Sequence, residues 1–121
     1  MPTRRPRILY AEDEISNREL MSIKLERAGY DCHCARDGLR AWEAFQAETF
    51  DLVILDHYMP QLDGLDVARR IREIAPQMPI IGITSNDALR RQLLDAGFNA
   101  VLIKPLRGSD VTDLIHQLLN P

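Results

Sequence analysis

Four short apolar runs in this 121-residue chain each end in polar side chains capable of chemistry. "RILYAED" closes in Glu12 and Asp13, and "DLVILD" closes in Asp56. "PIIGITS" closes in Thr84 and Ser85, and "AVLIK" in Lys104, followed by Pro105. If those ends meet, three carboxylates, a hydroxyl and one ammonium share a crevice. Three negatives against one positive leave a surplus that raises carboxyl pKa values or splays the groups. A divalent cation cancels it. Ligands that are all oxygen favour a hard ion, and a site that keeps waters in place suits Mg2+. The residue types therefore point to a Mg2+ site with room for a phosphoryl group, whose transfer needs an in-line nucleophile and charge neutralisation more than acid–base work.

The ends can meet only if the runs are neighbouring strands, and the pattern between them predicts this. Ser16 with Glu19 forms a capping box, so a helix is expected to begin there, with Leu20, Met21, Leu25 and Ala28 on its apolar side and Gly29 as its stop. "YDCHCA" is a second strand, and Leu39, Trp42 and Phe45 mark a helix after the Asp37–Gly38 turn. Leu65, Ala68, Ile71 and Ile74 give a helix ending before Pro76; Leu89, Leu93 and Ala96 give another, stopped by Gly97. Val111, Leu114, Ile115, Leu118 and Leu119 form the last amphipathic stripe. Five strands alternating with helices imply an α/β fold: a three-layer, doubly wound (βα)5 unit with a five-stranded parallel sheet. By analogy with flavodoxin-like folds the strand order is 2-1-3-4-5, with ligands outside the carboxyl ends of the strands. The mixed second strand suits an edge.

Length fits one domain over residues 1–121, with residues 1–6, around "TRRPR", expected to be a flexible solvated tail. A net charge of −3 argues against direct nucleic-acid binding, which rests on a basic excess. No apolar stretch approaches membrane-spanning length, and the N-terminus lacks a signal-peptide core, so the expected location is cytoplasmic. Cys32 and Cys34, two apart in a predicted strand, point to one face, too close along the chain for an ordinary disulfide. Zinc-site cysteines normally leave two to four residues between them, and no second ligand pair appears, so the thiols read as strand packing.

Taken together, "AEDE", "ILDHYMPQLDG", "ITS" and "IKP" at these spacings resemble the receiver domain of two-component response regulators, of the single-domain chemotaxis type. The resemblance implies that Asp56 is the phosphoacceptor, taking a phosphoryl group from a histidine kinase, a histidine phosphotransfer domain or acetyl phosphate. It implies that Asp13, Asp56 and the backbone carbonyl of Tyr58 hold Mg2+, with Glu12 acting through a bound water. Lys104 would pair with the phosphoryl oxygens, and Thr84 would donate its hydroxyl to them after transfer. A cis bond before Pro105 would fix where the lysine points. Pro60 would restrict Met59, and Gly64 would release the turn before the next helix. A downstream protein or output domain would read the change, so the chain is expected to be a signalling module rather than an enzyme in the usual sense. It would be a stand-alone regulator or a receiver from a hybrid kinase or larger regulator.

Some positions depart from the family pattern. Val101 stands where an aromatic residue often switches, Phe98 is larger than the usual residue and is expected to alter the surface of the fourth helix, and Ser85 replaces a common alanine. Tyr58 is bulky and is expected to shield an acyl phosphate from water. A haloacid-dehalogenase-type phosphatase would want an acid where Tyr58 stands, and a flavin binder would want a phosphate loop where "EDE" stands. The strongest rival is a degenerate receiver that binds proteins without phosphorylation; against it, no acid, hydroxyl or lysine of the set is missing.

Overall fold

The structure, a computed structural model, describes residues 4–59 and 61–120. Its elements run β1 (Arg7–Ala11), α1 (Ile15–Arg27), β2 (Asp31–Ala35), α2 (Gly38–Ala47), β3 (Leu52–Asp56), α3 (Gly64–Ile74) and β4 (Ile80–Thr84). A 3-10 turn (Asp87–Leu89), α4 (Arg90–Asp95), β5 (Ala100–Ile103) and α5 (Asp110–Leu119) complete the chain. All strand pairings are parallel, in the order β2-β1-β3-β4-β5 expected by analogy with flavodoxin-like folds.

Both faces of the sheet are covered, which is why β3 and β4 are apolar up to their last residues, Asp56 and Thr84, and buried along their whole length. On one face Leu9, Val53 and Leu55 pack with Ala41 of α2, Val67, Ala68 and Ile71 of α3, and Leu93 of α4. On the other, Ile8, Ile54, Ile81 and Ile83 pack with Met21 and Leu25 of α1 and with Val111 and Ile115 of α5. β5 is an edge strand yet apolar, because Val101 and Ile103 face the first cluster while Leu102 packs on the second.

Several local expectations are corrected. The Ser16–Glu19 capping box does not form: α1 begins at Ile15, behind Glu14, without a side-chain cap. The Glu12 carboxylate takes over part of that task, accepting the Glu14 N–H at 3.1 Å. The buried side of α1 is Met21 and Leu25; Leu20 is 66% exposed and Ala28 is also exposed. Ile15 and Ile23 are exposed as well, so α1 carries apolar residues on both sides and its periodicity misassigns the core. Ile74 is likewise exposed, and Leu89 lies in the 3-10 turn rather than in α4. Phe98 does not alter the surface of α4: it is buried, its ring filling the space above Gly82, where a Cβ would approach it to 2.8 Å. Val101 is buried in the same cluster.

Positions 4–6 of the expected tail are tied down. Arg4 forms a two-point ion pair with Asp51, both contacts at 2.9 Å, and Arg5 pairs with Asp31 and Glu26. Residues 1–3 and Pro60 lie outside the described residues, as does the role expected of Pro60.

Candidate functional site

The parallel register delivers the chemistry to one end of the sheet. Ala11 pairs with Leu55, which sets Glu12 beside Asp56 as the chain leaves β1. Asp56 pairs with Ile83, so Thr84 follows one step further, opposite Ile103, and Lys104 comes next. The Lys104 N–H donates to the Thr84 carbonyl at 2.8 Å, and the Lys104–Pro105 peptide bond is cis.

Glu12, Asp56 and Thr84 are each 3% exposed or less, while Lys104 is about one-third exposed. The Lys104 ammonium donates to Asp56 Oδ2 at 2.7 Å and lies 3.9 Å from Glu12 Oε1. Burial pulls the Lys104 pKa down, but the hydrogen bond and charge of Asp56, then the charges of Glu12 and Asp13, outweigh it and leave the pKa raised. Asp56 Oδ1 accepts the Tyr58 N–H at 3.2 Å, so both carboxylate oxygens are oriented. The Thr84 hydroxyl oxygen accepts the Asn86 N–H at 3.1 Å, which anchors the turn beyond β4. Asp13 is exposed at the mouth, and Tyr58 is 59% exposed just beyond Asp56.

Three further residues join this set. The buried Tyr10 hydroxyl donates to Glu12 Oε1 at 3.1 Å; burial and then the Glu12 charge push the Tyr10 pKa up. Its signal in the sequence was a phenol two residues before an acid on a strand, which puts both on one face. Arg18 donates from α1 to the Glu12 carbonyl at 2.9 Å. That contact crosses elements and leaves no mark on local spacing. His57, after Asp56, has a buried Nδ1 without a hydrogen-bond partner among the described residues.

Donor chemistry tests whether the site suits Mg2+. The carboxylates of Glu12 and Asp56 converge on a single ammonium, and Asp13 adds to the same field. Among the described residues no group of three or more His, Cys, Asp or Glu is arranged to hold an ion unaided. An ion bound among these oxygens must complete its shell with water or with oxygens of another molecule, the habit of Mg2+. The residues present fit the ion.

The chain is similar in sequence and in fold to known proteins. The chain is 39% identical over 101 residues to the sensor protein EvgS of Escherichia coli K12, covering 82% of this chain and 8% of EvgS. It is 35% identical over 115 residues to the response regulator MprA of Mycobacterium leprae, covering 93% of this chain and 50% of MprA. The chain therefore spans at most half the length of these relatives. The crystal structure of the response regulator TrrA from Thermotoga maritima, in complex with Mg(2+)-BeF, superposes with a TM-score of 0.88 at 32% identity, covering 94% of this chain and 99% of that one. Residues 8–116, from β1 into α5, match the family described as response regulator receiver domain, and the chain belongs to that family.

Proposed function

We propose that Asp56 accepts a phosphoryl group and that this is the signal the domain carries. The observation that supports it most directly is the mounting of Asp56: 3% exposed, rigidly held at the end of an apolar strand, with one oxygen on the Lys104 ammonium at 2.7 Å. A carboxylate oxygen attacks phosphorus, and the bond from phosphorus to the donor breaks in line. The donor is a phosphohistidine of a kinase or phosphotransfer domain, or an acyl phosphate. Lys104 neutralises charge gathering on the phosphoryl oxygens, an effect strengthened in a partly desolvated site. Asp13, Asp56 and the Tyr58 carbonyl would hold Mg2+, with Glu12 reaching it through water; when bound, the ion adds positive charge against the same oxygens. Thr84 donates its hydroxyl to the transferred group, which draws on the turn that Asn86 now ties to it.

Phosphorylation then biases a two-state surface that a downstream protein or output domain reads. The relatives support both halves of this traffic, since one is named a sensor protein and another a response regulator. The test is incubation with Mg2+ and acetyl phosphate, followed by intact mass. One phosphoryl group should add, and Asp56→Asn should take none. Labelling that persists in Asp56→Asn would move the acceptor elsewhere, and no labelling of the parent would leave a protein-binding module.

A further inference from the structure

Away from the phosphoryl site, the two cysteines of β2 stand in mutual contact. Cys32 Sγ and Cys34 Sγ are 3.7 Å apart, and both are half-buried. The Cys34 S–H also donates to the Arg18 carbonyl at 3.8 Å, and Cys34 lines a surface groove of about 490 Å³ with Ile15, Arg18, Glu19, Ser22 and Ile23. A small solute in that groove reaches Cys34. His33 points to the opposite face, its ring edge-on to Phe50 at 5.8 Å, so it is not a third ligand for the sulfurs.

We propose that Cys32 and Cys34 form a peroxide-sensitive dithiol, in which Cys34 is the attacking thiolate and Cys32 closes a reversible intrachain disulfide. The two thiols are not equivalent. Either sulfur can donate in their contact; with the Cys34 S–H given to the Arg18 carbonyl, Cys32 is left as the donor. That hydrogen bond favours the Cys34 thiolate, burial opposes it and the Arg18 charge supports it, so the net direction for Cys34 is down. The same hydrogen bond, with burial, pushes Cys32 up. Thiolate is the reactive form, so attack falls to Cys34, the sulfur that faces the groove.

The step balances with a hydroperoxide as oxidant. The Cys34 thiolate attacks one peroxide oxygen, the O–O bond breaks, and the departing hydroxide takes a proton to become water. Sulfur is oxidised to a sulfenic acid and the peroxide is reduced. Cys32, losing its proton, then attacks Cys34 sulfur, displaces the hydroxyl as a second water and completes the S–S bond. Two residues along a strand span about 6.6 Å, at the upper limit of the Cα separation a disulfide tolerates. The edge position of β2, paired only with β1, lets the strand draw in. A bond closed at that limit is strained and readily reduced, which suits a reversible modification and not a structural staple.

The full chain should be treated with graded hydrogen peroxide, and the remaining thiols trapped with iodoacetamide before intact mass. Both thiols should be lost together in a monomer two hydrogens lighter, and dithiothreitol should restore them. Cys32→Ser should stop at a sulfenic acid on Cys34 that dimedone captures. Cys34→Ser should slow thiol loss by about tenfold. The parent measurement alone decides the matter if a variant folds poorly. Two thiols still open to iodoacetamide after peroxide, a disulfide found only between molecules, or equal rates in Cys34→Ser and parent would each overturn the proposal.

Discussion

Lys104 lies 2.7 Å from one carboxylate and 3.9 Å from another, so one ammonium screens two buried acids from each other. Its folded pKa is raised, and the sign follows: the stabilisation is complete below the ordinary lysine pKa of about 10.4 and fades as pH climbs through the higher folded value. Lys104→Met should therefore be less stable than the parent at neutral pH, with the gap narrowing in strongly alkaline buffer. Urea midpoints at several pH values measure it, and a gap that widens with pH would contradict the assignment. The neighbouring aromatic offers a kinetic counterpart. Tyr58 is 59% exposed and stacks edge-on to His57 at 4.6 Å, with its N–H fixed on Asp56. Its ring is free to lie over a group carried by Asp56 and to exclude water. Tyr58→Ala should shorten the phosphorylated lifetime several-fold, followed by loss of the phosphate label; an unchanged lifetime removes the shielding role.

At the scale of elements, the join between β3 and α3 is tightly constrained. Asp63 caps α3 by accepting the Asp66 N–H at 2.9 Å, and the Gly64 N–H donates to the His57 carbonyl at 3.1 Å. A Cβ on Gly64 would stand 2.6 Å from the Asp56 carbonyl oxygen, so the helix docks against the main chain of the acceptor itself. Gly64→Ala must push α3 away or displace Asp56, at a cost of about 1–3 kcal/mol. Both urea stability and acetyl phosphate labelling should fall together; loss of stability with labelling intact would mean that α3 yields and Asp56 stays. This join also shows what spacing reveals. Strand ends were legible because a charged or hydroxyl residue interrupts an apolar run, as at Asp56, Thr84 and Lys104. The seat of Gly64 and the Tyr10–Glu12 and Arg18–Glu12 contacts depend on how elements approach one another. The core face of α1 was misread for a different reason: Ile15, Leu20 and Ile23 are apolar yet exposed, so hydrophobicity there does not mark burial.

Across the whole molecule, the site is where separately packed parts converge. Glu12 and Asp13 leave a strand whose Ile8 and Leu9 sit in opposite core clusters, and Asp56 leaves a central strand that does the same through Ile54 and Leu55. A ligand that gathers these ends holds only in the folded sheet, because unfolding separates residues more than forty positions apart. Binding therefore adds to global stability by linkage, about 2.7 kcal/mol when free ligand is a hundredfold above its dissociation constant. Mg2+ should raise the melting temperature of the parent by several degrees, saturably. Asp13→Asn should behave in the opposite sense at each stage. Without metal it relieves the repulsion of Asp13 with the Glu12 and Asp56 carboxylates, which outweighs the attraction it gives up to Lys104, so its melting point should equal or slightly exceed the parent's. With metal it lacks a ligand, so the rise should shrink or vanish. Thermal unfolding across a Mg2+ titration at constant ionic strength separates the two effects. Equal Mg2+ responses in the parent and Asp13→Asn would place the ion away from these carboxylates, and a lower metal-free melting point in the variant would show that Asp13 stabilises the fold without any cation.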